Sequence, residues 1–77
     1  MIEICLVDNE QLKKKIGQRI VALRSQKGWS QSDLAKACNK DRRTLEKLEK
    51  GEVNPTIYSL LEICNALGVS LKELVNF

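Results

Sequence analysis

The chain has 77 residues, 43% hydrophobic and 30% charged, with a formal net charge of +3. That length makes one small domain with a modest core and little stability to spare. No apolar run approaches the ~18 residues of a membrane span, and no basic region precedes a long apolar run, so no secretory signal is read and a cytoplasmic location is expected.

The first eight residues, MIEICLVD, alternate Ile2, Ile4 and Leu6 with Met1, Glu3, Cys5 and Val7. That is strand periodicity, rich in β-branched residues. A lone strand needs a partner for its backbone groups, most simply the same segment of a second chain across a two-fold axis. An irregular apolar arm folded on its own domain is the alternative, and the sequence leaves both open. Residues 1–8 are therefore set apart as an arm, and 9–77 as the domain.

The rest reads as five helices. The first is predicted from about Asn9 to Lys27, capped by Asp8 with Gln11 completing a capping box. Leu12, Ile16, Ile20 and Leu23 make its apolar stripe. Gly17 beside that stripe predicts the close approach of another helix, since it costs about 1 kcal/mol relative to alanine. The second helix starts at Ser30, with Asp33 as return partner and Trp29–Leu34 as a hydrophobic staple. Leu34, Ala35 and Cys38 point inward, and Trp29 is read as core. The third runs from an Asp41 cap to Lys50. The fourth follows Pro55 to about Leu67, its buried face assigned to Ile57, Leu60, Leu61, Cys64 and Leu67. The fifth begins at Ser70, with Glu73 closing a box and Val69–Leu74 a staple, and ends near Asn76. Gly28, Gly51 and Gly68 each stand where a helix stops. The fold class is all-α with short connections.

Catalytic and metal chemistry find little support. Cys5, Cys38 and Cys64 are odd in number, far apart, and without histidine anywhere in the chain to complete a zinc site. They are read as small, reduced apolar fillers. Without histidine the commonest general base near neutral pH is missing. No Gly-rich phosphate loop, carboxylate pair or nucleophile elbow appears. The chain is not read as an enzyme, and no cofactor, metal or small-molecule ligand is expected.

Charge is unevenly spread. Twelve of the thirteen Lys and Arg residues lie between Lys13 and Lys50, against only four Asp and Glu, leaving that segment at a net +8. A basic half beside an acidic remainder suggests a polyanionic partner on one face. The second and third helices are joined by the short turn CNKD, in which Asn39 tolerates a left-handed conformation. Two short helices so joined form a helix-turn-helix, whose second helix can enter the DNA major groove. On that helix Leu45 and Leu48 mark the buried side, and Arg43, Lys47 and Lys50 form a cationic ridge opposite, at i, i+4 and i+7.

From Ile16 to Leu74 the sequence resembles the lambda-repressor-like (Xre) helix-turn-helix family. The matching residues are Ile16-Gly17, Arg19, Ile20 and Leu23-Arg24 in the first helix, and Ser30-Gln31 and Leu34-Ala35 in the second. Arg42, Thr44, Leu45, Lys47, Leu48-Glu49, Gly51 and Asn54-Pro55 follow, then Ala66-Leu67-Gly68-Val69-Ser70 and Leu74. The resemblance implies a compact five-helix DNA-binding domain. It implies base-reading positions at Arg42, Arg43 and Lys47, with Thr44 near the DNA backbone. It also implies phosphate contacts at Gln31, and at Lys50 with the segment Gly51 to Asn54. It further implies an Arg24–Glu49 ion pair that orients the third helix. Arginine and lysine suit guanine O6 and N7, so a half-site containing guanines is expected.

Two residues depart from the pattern. Lys40 stands where an apolar staple residue is usual, and its charge makes it a further candidate for the DNA flank. Glu46 lies amid the cations. Pairing with Arg42 or Arg43 is the plainer reading, against accepting from a cytosine or rejecting unwanted sequences.

These features imply a small prokaryotic or phage transcriptional regulator, most simply a repressor. It would bind double-stranded DNA as a homodimer on a palindromic operator. The dimer contact would be sought in the N-terminal arm or in a C-terminal surface of Leu71, Val75 and Phe77. Restriction-modification controllers and antitoxins share this size and fold. The alternative function is a protein-interaction module, antitoxin-type or otherwise, that has kept the fold without reading DNA.

Overall fold

The side chains of Ser30, Thr56 and Ser70 supply partners for the first amides of three helices. The computed structural model describes residues 9–76 and holds five helices in that span. They are α1 (Asn9–Gln26), α2 (Gln31–Ala37), α3 (Arg42–Lys50), α4 (Ile57–Leu67) and α5 (Leu71–Leu74). The N-terminal arm, the Asp8 cap and Phe77 lie outside the described residues.

Capping boxes open α2 and α5. Ser30 Oγ accepts from the Asp33 amide at 3.2 Å while Asp33 Oδ2 accepts from the Ser30 amide at 2.9 Å. Ser70 and Glu73 repeat the arrangement at 3.2 Å in each direction. Thr56, which sequence reasoning passed over, caps α4 by accepting from the Ser59 amide at 3.0 Å. Asp41 is a correction. It occupies the N-cap position of α3, but its carboxylate makes no capping bond. The backbone holds that helix start instead, with the Lys40 amide on the Ala35 carbonyl at 2.8 Å and the Leu45 amide on the Asp41 carbonyl at 3.1 Å. The last helix is also shorter than expected, ending at Leu74 rather than near Asn76.

The core joins all five helices. Ile16, Ile20 and Leu23 from α1 meet Leu34 and Ala35 of α2, Leu45 and Leu48 of α3, and Leu74 of α5. From α4 come Leu60, Ile63, Cys64 and Leu67. The face predicted for α4 needs correcting. Ile57 and Leu61 are 62% and 42% exposed, while Ile63, not assigned to the core, is fully buried. Apolar residues occupy both sides of α4, so periodicity alone did not fix which side turns inward.

α1 packs on α3, and α2 packs on both α3 and α4. Gly17 permits the α1–α3 contact. A Cβ added there would fall 2.7 Å from the Leu48 carbonyl oxygen and nearer still to that of Glu49. At the end of α3, Gly51 is buried with φ 75°, and a Cβ there would meet Lys14 at 2.9 Å. Both its conformation and its surroundings require glycine. Two backbone contacts against α1 therefore set how α3 is presented.

Candidate nucleic-acid interface

The connection between α2 and α3 is a four-residue turn, Cys38 to Asp41. Asn39 takes φ 57°, the left-handed conformation needed to reverse the chain so briefly. The Cys38 amide closes back on the Leu34 carbonyl at 3.0 Å. Buried Leu34, Ala35, Leu45 and Leu48 then lock the two helices to the core.

With Leu45 and Leu48 turned inward, the other side of α3 is left to solvent. Arg42, Arg43, Thr44, Lys47 and Lys50 are all exposed. Among the described residues, none of the four cations forms a salt bridge. Nor does Glu46, which is half-buried; its expected pairing with Arg42 or Arg43 is not formed among the described residues. The basic side chains on α3 therefore keep their full donor capacity. Asn54, in the loop after α3, is exposed as well.

Behind this surface lies a polar network that spans three helices. Arg24 Nε donates to Glu49 Oε2 at 2.7 Å, and Nη2 donates to Glu49 Oε1 at 3.1 Å. A third bond, from Nη1 to the Trp29 carbonyl at 3.0 Å, ties the guanidinium to the entry of α2. The Glu49 side chain is only 4% exposed. Such a carboxylate is costly to bury unless paired and hydrogen-bonded. Its hydrogen bond raises the Arg24 pKa above the ordinary value, against the lowering effect of partial burial.

Gln31, the first residue of α2, joins the same carboxylate: its Nε2 donates to Glu49 Oε1 at 2.8 Å. An ionised carboxylate only accepts, so this bond fixes which end of the amide faces Glu49. The second N–H on Nε2 remains for another acceptor. Sequence reasoning placed Gln31 and Glu49 in separate roles, since nothing in their spacing shows that α2 and α3 bring them together. Lys40 is a second departure. Its ammonium pairs with Glu62 of α4 at 2.7 Å, and its side chain is 14% exposed. In the protein without DNA its charge is thus engaged at the α2–α4 side of the turn.

The Helix-turn-helix family model matches residues 20–74, most of the chain. The chain belongs to the helix-turn-helix family. Within it the kinship is of the lambda-repressor-like (Xre) kind. An HTH-type transcriptional regulator of Sinorhizobium fredii is 38% identical over 64 residues, 83% of each chain. The immunity repressor of Bacillus phage phi105 is 33% identical over 78% of this chain, which spans only 42% of that protein. Among solved structures, the restriction-modification controller C.AhdI of Aeromonas hydrophila superposes with a TM-score of 0.77 at 36% identity, covering 79% of this chain and 92% of that one. A hypothetical transcription factor from Neisseria superposes at 0.81 with 29% identity, covering 90% and 79%. No helix among the described residues is long and apolar enough to cross a membrane.

Proposed function

We propose that this helix-turn-helix protein is a sequence-specific regulator that binds double-stranded DNA as a homodimer. Its relatives include transcriptional regulators and a phage repressor. The observation that carries the proposal is the exposed side of α3, where Arg42, Arg43, Lys47 and Lys50 stand without a salt bridge among the described residues. A row of free cations on a short helix, held by its leucines, suits insertion into the major groove.

In this reading Arg42, Arg43 and Lys47 donate to base edges, with guanine O6 and N7 as the natural acceptors. Thr44, Lys50 and Asn54 meet the DNA backbone, and Gln31 offers its remaining N–H to a phosphate oxygen. Arg24 and Glu49 touch no DNA; they orient α3 and hold the Gln31 amide. Occupying a promoter is the simplest mode of action, in the cytoplasm and without catalysis. A two-fold protein requires a roughly palindromic operator with half-sites about 34 Å apart.

Selection of bound sequences from random DNA tests the proposal. Enrichment of one inverted repeat with guanines in each half supports it. A pool that stays random under salt conditions permitting binding rejects sequence-specific recognition.

A further inference from the structure

The face of α1 that lies against α3 ends in a free cation. A Cβ added to Gly17 would collide with the carbonyls of Leu48 and Glu49, and one added to Gly51 would fall 2.9 Å from Lys14 Cα and Cγ. Lys14 and Gly17 are three positions apart and share one face of their helix. That face runs along the last turn of α3, and the stem of Lys14 lies over the glycine that ends it. Lys14 as a whole is exposed. Lys13, about 100° round the helix, gives its charge to Glu10 at 3.3 Å. The Lys14 side chain has no salt bridge or hydrogen bond among the described residues. Glu52, the residue after Gly51, is exposed and does not pair with it.

We propose that Lys14 is a DNA-phosphate contact, a cation that α1 contributes at the end of the reading helix. The inference rests on the DNA-binding reading above and extends its backbone contacts beyond α2, α3 and the loop after α3. Lys50 directly precedes Gly51 and Asn54 follows three positions later, so Lys14 is brought to the segment that reading sets against the DNA backbone.

A role in the fold alone does not account for this cation. Positive charge near a helix C-terminus is favourable, but α3 already has Lys47 and Lys50 in its last turn, neither of them in a salt bridge among the described residues. A third free cation beside them adds like-charge repulsion, felt over about 10 Å at 0.1 M salt. A polyanion relieves that repulsion. An exposed ammonium on a flexible stem meets a phosphate oxygen as a point charge. Such a contact positions the protein and carries no base preference.

The test is the affinity of Lys14→Gln across a salt series, for the operator selected from random DNA and for unrelated DNA, with Lys72→Gln as control. Glutamine keeps a stem over Gly51 and removes the charge. Lys72 is exposed on α5, which packs on α1 and α4, and its loss changes net charge by the same amount. Losing one phosphate contact lowers the slope of log affinity against log salt by about 0.9. A fourfold rise in salt should then cost Lys14→Gln about 3.5-fold less affinity than it costs the wild type, on operator and unrelated DNA alike. Lys72→Gln should keep the wild-type slope. An unchanged slope in Lys14→Gln overturns the proposal, and if urea unfolding shows lower stability as well, Lys14 serves the fold instead. An equal fall in slope for Lys72→Gln also overturns it, since net charge is then the cause. So does a change in which sequence Lys14→Gln prefers, since the residue then acts through α3. A wild type that binds every sequence equally, with the slope lowered only in Lys14→Gln, upholds this contact while defeating sequence-specific reading.

Discussion

Arg24 and Glu49, one on α1 and the other near the end of α3, are joined by two hydrogen bonds of 2.7 and 3.1 Å across 25 positions of sequence. The pair fixes how α3 lies on α1, and Gln31 extends it to α2. Replacing Glu49 by alanine strands the Arg24 guanidinium and releases the Gln31 amide. The expected loss is about 3 kcal/mol, typical of a buried pair broken on one side. Urea unfolding measures it. A loss below about 1 kcal/mol would mean that water takes over the role of the carboxylate.

The α1–α3 contact also depends on Gly17. Alanine is the better helix former by about 1 kcal/mol, so Gly17→Ala would stabilise an open helix. Here the new methyl meets the backbone carbonyls of Leu48 and Glu49, which cannot swing aside. The expected result is a net loss of about 1–3 kcal/mol, the usual cost of overpacking, with weaker DNA binding because α3 is displaced. A variant with an unchanged or higher melting temperature contradicts the packing described.

Asp41 should differ from the two serine caps. Ser30 and Ser70 each accept a bond from the third residue of their helix, and alanine at either should cost about 1 kcal/mol. Asp41 makes no such bond. Asp41→Ala should therefore cost less than about half as much, leaving only the carboxylate's attraction to the helix start. Thermal melts of the three variants under one buffer rank them. Equal losses would show that Asp41 caps α3 after all.

Burial pushes the Cys38 and Cys64 thiols above the ordinary thiol range. The sign follows from linkage. The folded chain holds these protons to higher pH than the unfolded chain. Their contribution is intact below the unfolded thiol pKa of about 8.5 and is lost as pH rises through and beyond it. Stability should thus fall more steeply above that pH in the wild type than in Cys64→Ala, and a neutral thiol reagent should label both residues only as fast as the fold opens. Identical alkaline slopes, or rapid labelling of the native protein, would contradict their burial.

Much of this fold is legible in the sequence because its signals are local. Ser30 with Asp33, Ser70 with Glu73, and Asn39 in the turn each act within a few residues. What escaped depends on contacts between helices. α4 has apolar residues on both sides, so its periodicity points Ile57 and Leu61 to a core that Ile63 occupies instead. Lys40 reads as a free cation until Glu62, twenty-two positions away, comes beside it. The Gln31–Glu49 bond likewise exists only once α2 and α3 are packed. At the site itself, cation type and spacing mark the outer side of α3. Which base each side chain would meet in the proposed complex is set by the DNA and not by the chain.

In the proposed function the free cations of α3 read DNA. The most direct test is the affinity of Arg43→Ala and Lys47→Ala for the selected operator and for unrelated DNA, each across a salt series. Each change should weaken operator binding by about 1–3 kcal/mol and narrow the margin over unrelated DNA, as loss of a base contact does. Operator affinity, specificity margin and salt slope all unchanged in both variants would contradict the account.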